Sequence, residues 1–76
     1  MKEFQINLST IQNVKEFVNT VSRFDFDVDL VSGRYSVDAK SIMGIFSLEL
    51  SKPITMRVLS DDCDEFLGLV DKFLIK

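Results

Sequence analysis

An α+β open-faced sandwich is the fold class this sequence predicts: a four-stranded antiparallel sheet with three helices on one face, in the order strand-helix-strand-strand-helix-strand-helix. Three observations predict it. Apolar residues switch repeatedly between a period of two, which suits a strand with one buried face, and helical spacing. The two patterns are interspersed along the chain, so helices can return to cover the same side of one sheet. A glycine-containing turn also joins two of the strand segments directly, which makes them antiparallel neighbours.

Each element follows from its residues. Phe4, Ile6 and Leu8 alternate with Glu3, Gln5 and Asn7, a first strand. At Ser9 the period changes: Ile11, Val14, Phe17, Val18 and Val21 recur at helical spacing, and Ser9 with Gln12 is placed to form a capping box. That helix should end near Arg23. Phe24, Phe26, Val28 and Leu30 alternate with Asp25, Asp27 and Asp29 as a second strand, and Ser32-Gly33 turns the chain into a third at Tyr35-Ser36-Val37. Residues 40 to 50 read as a short helix, with Pro53 helping to end it. Ile54, Met56 and Val58 alternate with Thr55 and Arg57 as the fourth strand. Ser60 or Asp61 caps the last helix, where Asp61, Asp62, Asp64 and Glu65 cluster at the positive end of the dipole. Phe66, Leu67, Val70, Phe73 and Leu74 form its apolar stripe.

Size and composition narrow the function classes. A chain of 76 residues buries about 60% of the surface its unfolded form exposes, enough for one modest core, so residues 1–76 are expected to form a single domain. A net charge of −3 argues against nucleic-acid binding, which rests on clustered Lys and Arg. The lone Cys63 has no internal disulfide partner and fits a reducing compartment. With no histidine present, a Cys/His zinc site is excluded and no cofactor is implied. No apolar run approaches membrane-spanning length, and Met1-Lys2-Glu3 starts no signal peptide. The expected location is the cytoplasm.

Two stretches, "FDFDVDL" from Phe24 and "KSIMGIFSLEL" from Lys40, lie within an element order that resembles the histidine-containing phosphocarrier protein (HPr) family. The resemblance runs from about Phe4 to Phe73, and the first helix shares only its apolar pattern. It implies the HPr-like open-faced sandwich and a part in the sugar phosphotransferase system. In that family the phosphoryl-accepting histidine opens the first helix, in a Gly-x-His-Ala-Arg-Pro-like run. Aligning backwards from Phe24 puts Thr10 at the histidine, Gln12 at the arginine and Asn13 at the proline, and no glycine falls within Asn7 to Ser9. The chain thus resembles a divergent member without the active-site residue. A hydroxyl at Thr10 or Ser9 would need an activating base or metal, and its phosphate ester would be a poor onward donor. Ser9 and Thr10 read more simply as helix caps, with weak anion binding at the nearby amides left open.

The resemblance also gives Ser41 the place of the serine that a dedicated kinase phosphorylates in HPr relatives of many Gram-positive bacteria. Ser41 is either that switch or a helix cap worth about 1 kcal/mol. Some HPr-like proteins without the histidine keep this serine and regulate transcription factors or enzymes. Ile42, Met43, Ile45, Phe46, Leu48 and Leu50 are too many apolar groups for one face of a short helix. Ile45 and Leu48 can point inward while Met43 and Phe46 point elsewhere, as adaptable partner contacts. In HPr the residues matching Ile42, Met43 and Phe46 form a docking patch, and Lys40 borders it here. The alternative is that all six are core.

Two acidic features are decoys. Asp25-x-Asp27-x-Asp29 resembles the start of a calcium loop, but Leu30 and Ser36 occupy the glycine and bidentate-glutamate positions. It reads as a solvated stripe on the uncovered sheet face. The acidic start of the final helix complements its dipole. No catalytic or metal-binding residue is assigned, and the expected protein is not an enzyme. Its expected role is that of a non-catalytic regulatory domain whose partner is a phosphotransferase-system enzyme, a kinase or a transcription regulator, as a monomer or weak homodimer. A phosphocarrier with an unconventional acceptor and a homo-oligomeric structural module are the alternatives.

Overall fold

The computed structural model describes residues 2–75, so Met1 and Lys76, the ends of the expected 1–76 span, lie outside the described residues. The elements follow in the order β1 (Lys2–Ile6), α1 (Ile11–Val21), β2 (Val28–Ser32), β3 (Tyr35–Asp38), α2 (Ile42–Phe46), β4 (Ile54–Val58) and α3 (Asp64–Val70), closed by a 3₁₀ turn at Asp71–Phe73. The four strands pair antiparallel in the spatial order β1-β4-β2-β3. This is the α+β open-faced sandwich that the alternating periods predict. No helix among the described residues is long and apolar enough to cross a membrane.

The register places every second strand residue under the helices. Val28 and Leu30 of β2 lie beside Val58 and Met56 of β4, and β4 in turn sets Ile54 beside Ile6 of β1. All six side chains are fully buried, against Val14, Phe17 and Val21 from α1, Ile45 from α2, and Phe66 and Val70 from α3. The helix periodicity therefore delivers one stripe per helix to a common core. The opposite sheet face is polar. Gln5 donates to Thr55 Oγ1 across β1 and β4 at 2.8 Å, and Arg57 Nε lies 3.4 Å from Glu3 Oε2. These contacts are largely solvated and contribute little to stability.

The β2–β3 turn centres on Gly33 and Arg34, with Gly33 at φ +60° and no other residue at positive φ among the described residues. A positive φ at the first central position alone is the requirement of a two-residue type II′ hairpin, which glycine meets without strain. At the far edge, β1 is shielded by the C-terminal segment. Asn7 N donates to Phe73 O at 2.9 Å, Ile75 N donates to Gln5 O at 2.8 Å, and Leu74 bridges Ile6. One of the two sheet edges is thereby covered.

Element boundaries shift by a few residues from the sequence expectation, β1 ending at Ile6 and not Leu8, α1 at Val21 and not near Arg23, and four further differences have a local reason. The second strand starts at Val28, not Phe24: Phe24 and Phe26 lie in a bend, where their rings pack 5.3 and 5.5 Å from Phe66. Alternate inward residues need no ladder when an aromatic cluster receives them. Asp25 and Asp27 therefore leave the sheet, and only Asp29 stands on its open face, paired across the strands with Arg57. The short helix stops at Phe46 instead of reaching residue 50, because Ser47 Oγ donates to Gly44 O at 2.6 Å and closes it. The first helix is capped by Thr10 instead of Ser9, and Ile11, expected in its core stripe, is 64% exposed. The last helix has Cys63 at its N-cap without a side-chain cap bond, while Ser60 Oγ engages the backbone of Asp62 one turn earlier.

Phe66 joins α3 to the aromatic bend, so Phe66→Ala should destabilise the fold by about 3–5 kcal/mol through lost transfer energy and the cavity left behind. Urea denaturation followed by far-UV circular dichroism should show this as a lowered midpoint with an unchanged slope; a midpoint equal to wild type would mean that the cluster is not structural.

Candidate functional site

The start of α1 is built as an N-cap. Thr10 is extended at φ −122° and ψ 156°, and its Oγ1 accepts from Asn13 N at 3.1 Å. One otherwise orphaned amide is satisfied in this way. The first turn of α1 contains no acidic residue, so nothing within it can take the Thr10 proton. One turn further on, Glu16 is engaged elsewhere: Lys72 Nζ from the 3₁₀ turn pairs with Glu16 Oε2 and also lies 5.3 Å from the centre of the Phe73 ring. Gln12 hydrogen-bonds Glu16 as well. The hydrogen bond and charge of Lys72, then the Gln12 hydrogen bond, hold the Glu16 carboxyl below the usual glutamate range. A carboxylate stabilised in its ionised form is a weaker base.

Thr10 and Gln12 are therefore adjacent in the first turn but do not converge on a common ligand. Gln12 turns along the helix to Glu16, completing a Gln12-Glu16-Lys72 cluster that joins α1 to the chain's C-terminal turn. Sequence reasoning missed this cluster because its partners are 56 positions apart. Only the i, i+4 spacing of Gln12 and Glu16 was visible.

A second cap lies at α2. Ser41 is exposed and extended at φ −99° and ψ 99°, and its Oγ accepts from Gly44 N at 3.3 Å. The chain entering it is fastened on both sides. Ser41 N donates to Asp38 O at 3.0 Å, Lys40 N donates to Asp38 Oδ1 at 2.8 Å, and Lys40 Nζ reaches back to Phe24 O at 3.0 Å. Lys40 is half-buried and tethers α2 to the aromatic bend. Gly44 matters for space: a Cβ there would stand 3.2 Å from Ser41 Oγ and 3.3 Å from Val37 Cβ. The missing side chain lets α2 lie close against β3.

That seating sorts the apolar residues of this segment. Ile45 and Leu48 are buried in the core, and Ile42 is half-buried. Met43 is 76% exposed and Phe46 38% exposed. Ser41, Met43 and Phe46 thus share one short, rigidly held element. Chemically, this region offers an adaptable apolar contact beside an accessible hydroxyl. Among the described residues no group of three Cys, Asp or Glu side chains is placed to hold a metal ion.

The chain is similar to known proteins along most of its length. The family model for the PTS HPr component phosphorylation site matches residues 11–70, opening one residue after Thr10. Two solved structures are similar in sequence and fold. HPr-C-His from Thermoanaerobacter tengcongensis is 29% identical with a TM-score of 0.78, over 95% of this chain and 89% of that one. The phosphocarrier protein HPr from Bacillus anthracis is also 29% identical, with a TM-score of 0.75 over 97% and 94% of the two chains. A histidine-containing phosphocarrier protein from Mycoplasma, at 14% identity, shares the fold with a TM-score of 0.75 over 93% and 89%.

Thr10→Ala should cost about 1 kcal/mol of stability through loss of the cap, measured by chemical denaturation, and Thr10→Ser should cost less. Carboxyl chemical shifts followed against pH should place the Glu16 titration below the ordinary glutamate value, and Lys72→Met should raise it. Since the folded value is depressed, the pair's contribution is present above the unfolded glutamate pKa and is lost as pH falls through the folded one. A Glu16 titration unmoved by Lys72→Met would show that the pair is not formed in solution.

Proposed function

The chain belongs to the HPr family of the phosphotransferase system, whose members are small carrier and regulatory proteins that engage protein partners, and on that premise we propose that it is a non-catalytic docking member. The observation that carries this reading is the absence of histidine from all 76 residues. The hydroxyl aligned with the family's acceptor, on Thr10, caps a helix and has no acid or base in its first turn. Phosphoryl relay through Thr10 would also end in a stable ester. What the domain offers a partner is the surface of α2, where Met43 and Phe46 are exposed, Ile42 is half-buried and Lys40 lies at the border.

Ser41 is the proposed control point of that surface. A phosphate on its Oγ would add about −1.5 to −2 charges beside Met43 and supply strong acceptors for the amide of Gly44. Ile45 and Leu48 face the other way into the core, so the change would alter the contact face without unfolding α2. The proposed partner is a phosphotransferase-system enzyme, a kinase or a transcription regulator working in the cytoplasm.

Calorimetric titration against those three partner types tests the docking reading. One of them should bind, and Met43→Ala and Phe46→Ala should each weaken it about tenfold, equivalent to about 1.4 kcal/mol, with thermal midpoints close to wild type. Binding that survives both substitutions, or no binding by any of the three, would contradict it. Phosphorylation of Ser41 by the kinase should change the affinity for the binding partner, whereas Ser41→Ala should leave the unphosphorylated affinity near its starting value.

A further inference from the structure

A cleft of about 520 Å³ opens between the β2–β3 hairpin and the segment that follows α2, within the roughly 300–1,000 Å³ range of small-ligand sites. Arg34 and Tyr35 line it from the hairpin, and Ser47, Leu48, Glu49 and Lys52 line it from the opposite wall. It gathers two of the nine basic residues of a chain that carries 12 acidic ones. Lys40, Arg57 and Lys72 are engaged with Phe24 O, Glu3 and Glu16 respectively, and Lys2, Lys15 and Arg23 lie outside the cleft. The side chains of Arg34 and Lys52 have neither an ion-pair nor a hydrogen-bond partner among the described residues. Two unpaired cations from separate loops therefore face one concavity.

The remaining lining refines the ligand. Glu49 is the one carboxylate of the cleft, and its Oε1 already accepts the Ser51 hydroxyl at 2.6 Å. Its other oxygen is an acceptor for ligand hydroxyls. Tyr35 is 69% exposed and presents both a ring face and a phenolic hydroxyl, while the buried Leu48 closes the wall. Arg34 supplies the planar fork that matches phosphate oxygens, and Lys52 adds a point charge. We infer that this cleft binds a small phosphorylated hydroxy compound, with the phosphate between Arg34 and Lys52 and its hydroxyls toward Glu49 and Tyr35. The lining includes neither Met43 nor Phe46, and the test is independent of any protein partner.

Amide chemical shifts of the full chain, titrated at constant ionic strength, test this directly. Ribose 5-phosphate should give saturable shifts at Gly33, Arg34, Ser47 and Lys52; inorganic phosphate should act at the same amides more weakly, and ribose should have no effect. Arg34→Ser should weaken ribose 5-phosphate about tenfold, the loss expected for one charge-assisted contact, and Arg34→Ser with Lys52→Ser should abolish saturation. Both positions are exposed, and circular dichroism should confirm an unchanged fold. Shifts that are absent, match those of sodium chloride, or persist in the double variant would overturn the assignment. Equal affinity for inorganic phosphate would overturn the role of Glu49 and Tyr35, and preferential binding of phosphatidylglycerol vesicles through these residues would show a lipid surface to be the ligand instead.

Discussion

A helix of five residues cannot hold itself together in water, because nucleation costs more than so few hydrogen bonds return. The shape of α2 therefore depends on how tightly β3 receives it. Gly44 provides the room, bringing the helix backbone against Val37, while Ile45 and Leu48 anchor it in the core. Ser41 closes its first turn, Ser47 closes its last, and Lys40 ties the entering chain to Phe24. With one side committed so completely, Met43 and Phe46 have no inward route. Their exposure follows from the packing and not from loose structure.

The two helix starts at Thr10 and Ser41 share one local device, a hydroxyl accepting the amide three residues on. Their surroundings separate them. Beyond Thr10, Gln12 and Lys72 both engage Glu16, so that carboxylate is committed to its own partners. Beyond Ser41 the next exposed group is a methionine, on a helix that the core already holds in place. The missing imidazole is the ground on which recognition is proposed over relay. A nitrogen-bound phosphoryl group can be passed on, whereas a phosphoester at either hydroxyl would remain until hydrolysed.

Much of the fold was legible because the covered sheet face imposes a strict period on the chain. Ile54, Met56 and Val58 could be assigned to a buried face from alternation alone, and Gly33 marked the hairpin. Boundaries were less legible where side chains settled a matter that the pattern left open. Phe24 and Phe26 alternate as strand residues do, yet their rings gain more by meeting Phe66 in a bend. Leu48 has the apolar character of a helix residue but enters the core from a turn. At the candidate sites, the inward and outward division of Ile45, Leu48, Met43 and Phe46 could be foreseen from their crowding. The Glu16–Lys72 pair and the Arg34–Lys52 cleft could not, since each is created by folding distant segments together.

The proposed division of labour within one small sandwich comprises a covered face that stabilises, a short helix that presents, and a first-helix start without transfer chemistry. Intact-mass spectrometry at neutral pH, after incubation with phosphoenolpyruvate and the first enzyme of the phosphotransferase system, tests that division most directly. The chain should remain unmodified while an authentic HPr in the same vessel becomes phosphorylated. Stoichiometric phosphorylation that this chain then hands to a downstream acceptor would contradict the account.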